Sequence, residues 1–444
     1  MSNESMSRTS LGRGFSWNLA GSTVYNLGQW LLVVLLAQLS APEVVGRFSL
    51  MLAISAPVYL CLGLNLRVVA ATDITSRWNI STYLRTRQVT SVIALVATLA
   101  IGWVFGLRGW DYVGLAMLCA AKSTEALGQT IYGYFQRARR IDLVGMSMIL
   151  RAVSGAGSFA VLVMTTGELF LGCFGLWLGW TAVYLAWDRR HLRELGELWA
   201  PNSARLPTAR HGQPGNASDS GLALVRKAAP LGVDAGLSSL TINAPRYALQ
   251  ASLGAAGLAK FAALAYTTQT IGMVTASLAD GIVSQLAHAH AHAQRRQFIR
   301  LLGALIAFST GVTLVALAAA WLFGDWAILH LLGREYVNTP LLLLLVVSAG
   351  ITTLQRSLAR GLQASHSFHH IAWVDAACLG ATVVACAFLV PSYGLEGAAL
   401  ALCVGMAIAT AITTLLVLRV VRSIPSASAS DHPAARPVSR ENQA

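Results

Sequence analysis

The sequence predicts an all-α, polytopic membrane protein of about twelve transmembrane helices in two six-helix bundles. Three observations predict it. Of 444 residues, 55% are hydrophobic and 11% charged, with mean hydropathy +0.59, whereas a soluble domain carries roughly a quarter charged residues. Apolar runs of about 20 residues, the length that crosses a bilayer at 1.5 Å per residue, recur along most of the chain. The basic residues, finally, fall in short connections between those runs.

Residues 1–14 form a polar, Arg-bearing cytoplasmic N-terminus that leads directly into a full-length apolar run. That pattern lacks a signal peptide, so the first helix is expected to be retained. Spans are expected at 15–37, 44–66, 88–107, 111–134, 142–165 and 168–187, which make the first bundle (15–187). A cytoplasmic linker follows at 188–221, charged from Asp188 to Trp199 and Pro/Gly/Ser-rich from Pro201 to Gly221. The second bundle (222–418) holds spans at 222–248, 259–287, 299–323, 339–360, 370–390 and 395–418. The tail (419–444), low in apolar content from Ser423 onward, is expected to be disordered.

With these spans, 25 of the 32 Lys and Arg residues sit on the side of the N-terminus and five (Arg47, Arg108, Arg246, Lys260, Arg334) at the other ends. Lys122 and Arg151 lie within spans. Positive connections stay cytoplasmic, so an even number of spans with both termini inside is expected. Trp103, Trp110, Trp326 and Tyr336 near the outer ends read as interfacial anchors. The net charge of +13 does not gather on one soluble module, which excludes a nucleic-acid partner. The six cysteines fall in apolar runs without CxxC spacing and read as small core residues.

The halves carry a short internal similarity. Leu39-Ser-Ala-Pro-Glu-Val-Val-Gly-Arg47-Phe48 resembles Leu253-Gly-Ala-Ala-Gly-Leu-Ala-Lys260-Phe261 with one residue dropped. Six spans per half is even, so the repeats would be parallel, with a substrate site at their interface. The pairs Gly102/Gly106, Gly175/Gly179 and Gly232/Gly236 permit close helix contact.

Polar side chains recur at helical spacing inside the spans. Lys122, Glu125, Gln129, Tyr132 and Gln136 share one face. So do Ser147, Arg151, Ser154 and Ser158; Asn18, Ser22, Tyr25/Asn26 and Gln29; Gln269, Ser277, Asp280 and Ser284; and Ser348, Thr352 and Gln355. Singly, such residues glue helices together; five stripes over two halves suggest a shared hydrated cavity. Each ionisable group costs several kcal/mol at the bilayer centre unless paired or hydrated. Lys122 and Glu125 can pair with each other, Arg151 can snorkel to the surface, and Asp234, Asp280 or Asp375 can meet an Arg on a neighbouring helix. Arg246 follows Pro245, where a helix break would free backbone groups.

Several activities are excluded. The three lysines follow Ala, Arg and Ala, so no Walker A motif is present. No two acids are closer than three positions, which removes the close acidic pair that would hold a metal-bound diphosphate. His288, His290 and His292 lack the HExxH pattern. Neither a metal site nor a cofactor is expected, and an enzyme is disfavoured.

The stretch Lys122-Ser-Thr-Glu125-Ala-Leu-Gly-Gln-Thr-Ile-Tyr-Gly133-Tyr-Phe-Gln136-Arg137 resembles a fourth-span segment of Wzx-like polysaccharide-unit flippases. So do Leu64-Asn-Leu-Arg67-Val-Val-Ala-Ala-Thr-Asp73, Ala244-Pro-Arg246-Tyr247 and Pro391-Ser-Tyr-Gly394-Leu-Glu-Gly397-Ala-Ala. These flippases belong to the multidrug/oligosaccharidyl-lipid/polysaccharide exporter superfamily. The resemblance implies a MATE-like, V-shaped pair of bundles in the bacterial cytoplasmic (inner) membrane. It implies as substrate an undecaprenyl-diphosphate-linked oligosaccharide, flipped to the outer leaflet by an ion gradient. Membrane lipids and the polymerase and chain-length proteins of polysaccharide assembly are the implied partners.

A diphosphate needs cations, and arginine offers fixed bidentate geometry. Arg246, Arg151 and Lys122 are the candidate substrate-binding residues; Glu125 and Asp280 are the candidates for coupling. A multidrug antiporter shares the architecture but would want net acid in its cavity. A lipid II flippase would carry extra spans, and a membrane enzyme of sugar-lipid synthesis a larger external loop. The charge distribution sets the first test. In a variant whose only cysteine replaces Ser218, a membrane-impermeant thiol reagent should label inverted vesicles and not intact cells; labelling of intact cells would overturn the topology.

Overall fold

A computed structural model describes residues 2–73, 77–199, 221–365 and 368–423, and those residues are helical apart from short turns. The helices are α1 (Ser2–Leu39), α2 (Pro42–Cys61), α3 (Leu66–Thr72), α4 (Ile80–Val104), α5 (Gly109–Arg137), α6 (Ile141–Thr166), α7 (Leu169–Val183), α8 (Arg189–Trp199), α9 (Gly221–Ala291), α10 (Arg295–Leu331), α11 (Thr339–Ala364) and α12 (Phe368–Ser423). A single widened π turn, Tyr184–Asp188, joins α7 to α8. The sixth span therefore continues as helix to Trp199, beyond the end expected at 187. The rest of the expected linker, Ser218 included, lies outside the described residues, as does the tail beyond Ser423.

α9 and α12 contain 71 and 56 residues. Straight, they would reach about 105 and 85 Å at 1.5 Å per residue, several times a hydrocarbon core of about 30 Å. Each instead folds back at one glycine, Gly254 (φ 68°, ψ −167°) and Gly394 (φ 56°, ψ −122°). Only glycine adopts such values without a steric penalty. The fold-back is visible in the contacts. The Arg246 guanidinium stands over the Tyr266 ring at 4.9 Å, and Cys378 Sγ is 3.8 Å from Met406 Sδ. Among the described residues nine helical stretches are long and apolar enough to cross a membrane. Two of them are these hairpins, with two crossings each, and α5 with its polar face supplies one more. Twelve spans result, as expected.

Pro245 does not break α9. Inside that helix only Gly254 departs from helical backbone angles, although Pro230 and Pro245 both lie within it. A proline removes one hydrogen bond, which surrounding helices can absorb.

The end of the molecule bearing the start of α1 and the end of α12 is called proximal here, the opposite end distal. At the distal end one large apolar core joins both halves. Phe48 and Met51 of α2 and Leu115 of α5 pack with Leu258 and Phe261 of α9 and Leu341 of α11. Toward the proximal end the core divides. One cluster, around Phe135, Val144 and Leu195, belongs to the first half. Another, around Phe298, Leu362 and Val417, belongs to the second. A third wraps the start of α9, at Leu224 and Ala228, with Leu66, Trp78 and Tyr83. The halves are thus knit most extensively at the distal end, and proximally only where the first arm of α9 packs on the first half. Trp103, Trp110 and Trp326 are exposed distally as interfacial anchors should be, but Tyr336 is buried in the core.

α2 runs antiparallel along the first arm of α9 as the main seam between halves. Its contacts are backbone approaches that only glycine permits. A Cβ on Gly46 would collide with the Ala255 carbonyl, and one on Gly232 with the Cys61 carbonyl. Between these points the Tyr247 hydroxyl donates to the Ala53 carbonyl at 2.5 Å. Gly46→Ala should therefore lower stability by about 1–3 kcal/mol, the usual effect of overpacking, read as a lower thermal midpoint in detergent. Gly157→Ala, where an added Cβ meets nothing within 4 Å, should leave the midpoint unchanged. Equal midpoints for both would remove the seam.

Candidate functional site

Two cavities flank the first arm of α9. The first, of about 480 Å³, lies in the proximal part of the first half; Arg67, Arg87, Lys122, Glu125 and Gln129 are among its polar lining residues, and Ala235 of α9 borders it. Its shape begins with a break in the chain. Leu64 and Asn65 take left-handed angles (φ 53° and 44°), which turns the short α3 back against α5. Arg67 is thereby brought inward, where Nη1 donates to Gln129 Oε1 at 2.9 Å. From α4, Arg87 Nε donates to the Ala126 carbonyl at 3.2 Å. Lys122 and Glu125 do not pair within 4.0 Å. Glu125 instead accepts the Tyr25 hydroxyl of α1 at 2.6 Å.

The second cavity, of about 440 Å³, lies in the second half, and Arg246, Gln269, Ser348, Thr352 and Arg356 are among its lining residues. Arg246 is 5% exposed. Its Nη1 donates to Asn243 Oδ1 at 2.7 Å, its guanidinium faces the Tyr266 ring, and its Nε has no partner. A buried guanidinium with an unused donor is poised to take an acceptor. Among the described residues no carboxylate lines this cavity.

Next to it, a small recess is lined by Ser238, Gln355, Arg356 and Asp375. The Ser238 hydroxyl donates to Asp375 Oδ2 at 2.7 Å, and the Asp234 carboxyl, one turn earlier on α9, reaches that of Asp375. Asp234 Oδ1 has no partner. Asp375 also shares this recess with Arg356 of α11, so one of the acids expected near an arginine on a neighbouring helix has one there.

Arg151 does not face either cavity. It is 1% exposed and bonds Asp188 Oδ2 through Nη2 at 2.6 Å; Asp188 is fully buried. Ser147 donates to the other carboxylate oxygen at 2.6 Å, and the Tyr132 hydroxyl is 2.7 Å from Ser147 Oγ. The rest of this stripe is glue. Ser154 and Ser158 donate to the carbonyls of Gly179 and Gly175 at 3.1 and 2.6 Å, because those glycines let α7 come close. The expected cavity stripe on α6 is thus a helix interface. Asp280, with Ser277 and Ser284, has its side chain outside the described residues. His288 and His292 stack on each other, ring centroids 4.0 Å apart, and no cluster able to hold a metal is found among the described residues. The cysteines are free thiols.

Arg67, Arg87 and Arg356 escaped the sequence reading. Each was counted as a cytoplasmic connection residue, and their only sequence signal was proximity to a span end.

The helical hairpins and the twelve spans define a multi-pass membrane protein of MATE-like fold, with paired cavities on either side of one helical arm. No protein-family model matches the chain. It is 20% identical over 399 residues to the capsular polysaccharide biosynthesis protein CapF of Staphylococcus aureus, covering 89% of this chain and 96% of that one. Among solved structures, an inward-facing multidrug resistance MATE transporter of the MOP superfamily superposes with TM-score 0.68 at 14% identity, over 92% of this chain and 96% of that chain. A MOP superfamily transporter from Pyrococcus furiosus, described as having a binding pocket of reverse polarity, superposes with TM-score 0.64 at 14% identity, over 94% and 96%.

The Arg151–Asp188 pair makes a stability test. Arg151→Met alone strands a buried carboxylate and should cost about 3–5 kcal/mol, seen as a lower melting midpoint and poor yield. Adding Asp188→Leu should restore most of that loss, because an apolar pair of similar volume is often neutral. If the single variant melts like the wild type, the pair is not structural.

Proposed function

We propose that the chain flips an undecaprenyl-diphosphate-linked oligosaccharide from the cytoplasmic to the outer leaflet by alternating access, driven by an ion gradient, with its proximal end in the cytoplasm. One observation carries the reading: among the described residues, five cations, Arg67, Arg87, Lys122, Arg246 and Arg356, line the two cavities against one carboxylate, Glu125. Such a surplus within the membrane asks for an anion. A diphosphate supplies two or so negative charges, and guanidinium groups bind phosphate in bidentate fashion. An organic-cation antiporter would need the opposite balance. The likeness to a capsular polysaccharide protein supports a glycan cargo, and the Pyrococcus furiosus relative's reversed pocket polarity shows that this fold accepts more than one charge pattern.

Arg246 is the residue assigned to the diphosphate, with Arg356 across the same cavity and the Arg67, Arg87 and Lys122 group receiving the substrate from the proximal side. Arg151 has no part in this scheme, since its charge is consumed by Asp188. For coupling, Glu125 lies in the substrate cavity itself. Asp375, whose recess shares Ile242, Thr352 and Arg356 with the second cavity, and Asp234, one turn before Ser238, are further candidates. Asp280 remains a candidate.

The test compares variants at equal protein level in cells that depend on this chain for a surface glycan. Arg246→Ala should lose nearly all export, and Arg246→Lys, which keeps charge without the fork, should lose much of it. Asp234→Asn should bind substrate but lose the response of transport to a proton gradient. Near-normal export in both Arg246 variants would make that residue an anchor and overturn the assignment.

A further inference from the structure

The proximal extension of the sixth span carries a charge arrangement that the transport scheme does not use. In sequence, Asp188-Arg189-Arg190 reads as a locally mixed group. The widened turn Tyr184–Asp188 changes that. It turns Asp188 inward, fully buried against Arg151, while Arg189, Arg190 and Arg193 remain exposed. Glu194 is taken by Arg190 at 3.0 Å. Arg189 and Arg193 therefore stand one turn apart on the same outward face, where like charges at this spacing repel.

That face continues into the membrane. Leu178, Ala182 and Leu185 precede Arg189 and Arg193 at steps of four and three, so all five share one stripe. Leu178 and Leu185 are 45% and 51% exposed, as lipid-facing residues are. Where the apolar lane meets the arginines, Leu185, Ala186, Arg189, Arg190, Arg193 and Glu194 border a shallow groove of about 550 Å³. The segment 200–220 that follows α8 cannot neutralise the patch, since it holds Arg205, Arg210 and His211 against the one acid Asp219.

We infer that this stripe binds an anionic phospholipid, its acyl chain along Leu178, Ala182 and Leu185 and its headgroup between Arg189 and Arg193. The chemistry is that of a basic cluster at the end of a span, where each cation is drawn to an anionic lipid surface. A phosphate between the two guanidinium groups relieves their repulsion and accepts charge-assisted hydrogen bonds. Because the same helix carries Asp188, a bound headgroup holds the outer face of the element whose inner face is locked to Arg151.

The full chain, purified in detergent, tests this by thermal midpoint against added lipid. Phosphatidylglycerol should raise the midpoint by several degrees; phosphatidylcholine, with the same phosphate but no net charge, and inorganic phosphate, with charge but no acyl chain, should not. The double variant Arg189→Gln/Arg193→Gln should match the wild-type midpoint without lipid and need at least tenfold more phosphatidylglycerol for half the rise. Glu194→Gln, which releases Arg190, should need less than the wild type. An unchanged lipid response in both variants, or an equal rise with phosphatidylcholine or inorganic phosphate, would overturn the inference. Should the double variant fail to fold, the direction of the Glu194→Gln shift decides alone.

Discussion

A charge inside hydrocarbon must either be matched by a partner or stand in water, and the interior of this protein is organised by that choice. Matched groups build the scaffold. Arg151 and Asp188 lock α6 to the end of the sixth span, and Tyr25 ties α1 to Glu125 on α5. Groups left unmatched mark where water enters, and they are not spread evenly. Among the described residues they line two cavities on either side of one helical arm, and most are cations.

Much of the fold was legible because lipid imposes a simple code. A stretch of some twenty apolar residues has few alternatives to a membrane helix, so the spans could be counted. The sorting of Lys and Arg gave the shared side of the termini. The site was legible only where a charge interrupted a hydrophobic run, as at Lys122, Glu125 and Arg246. Arg67 and Arg87 were hidden by the same code. A basic residue near a span end looks like a topology signal, and only the left-handed angles at Leu64 and Asn65 turn α3 inward. Nothing in the hydropathy pattern announces such a turn.

Ambiguity of a second kind affected Arg151 and the serines beside it. A serine stripe reads alike whether it faces water or a glycine-lined neighbour. What distinguishes them is the partner helix, Gly175 and Gly179 here, and a contact between helices is not written in either helix alone. Asp188 was placed in the linker because the sixth span was expected to end at 187. One widened turn carries the helix past that point and delivers the carboxylate to Arg151. Proline misled in the opposite direction: Pro245 suggested a break, while the break that shapes the second half falls at Gly254, nine residues further on.

The hairpins at Gly254 and Gly394 bear on how the protein is made. The first arm of α9 emerges from the ribosome carrying Asp234 and Arg246, a poor candidate to enter the bilayer alone. The ring that faces Arg246 belongs to Tyr266, twenty residues later in synthesis, and the carboxyl that meets Asp234 belongs to Asp375, later by far. With one glycine at the apex no loop separates the two arms. Both of these partners are thus made after the first arm, Tyr266 on the arm that folds back along it and Asp375 on α12.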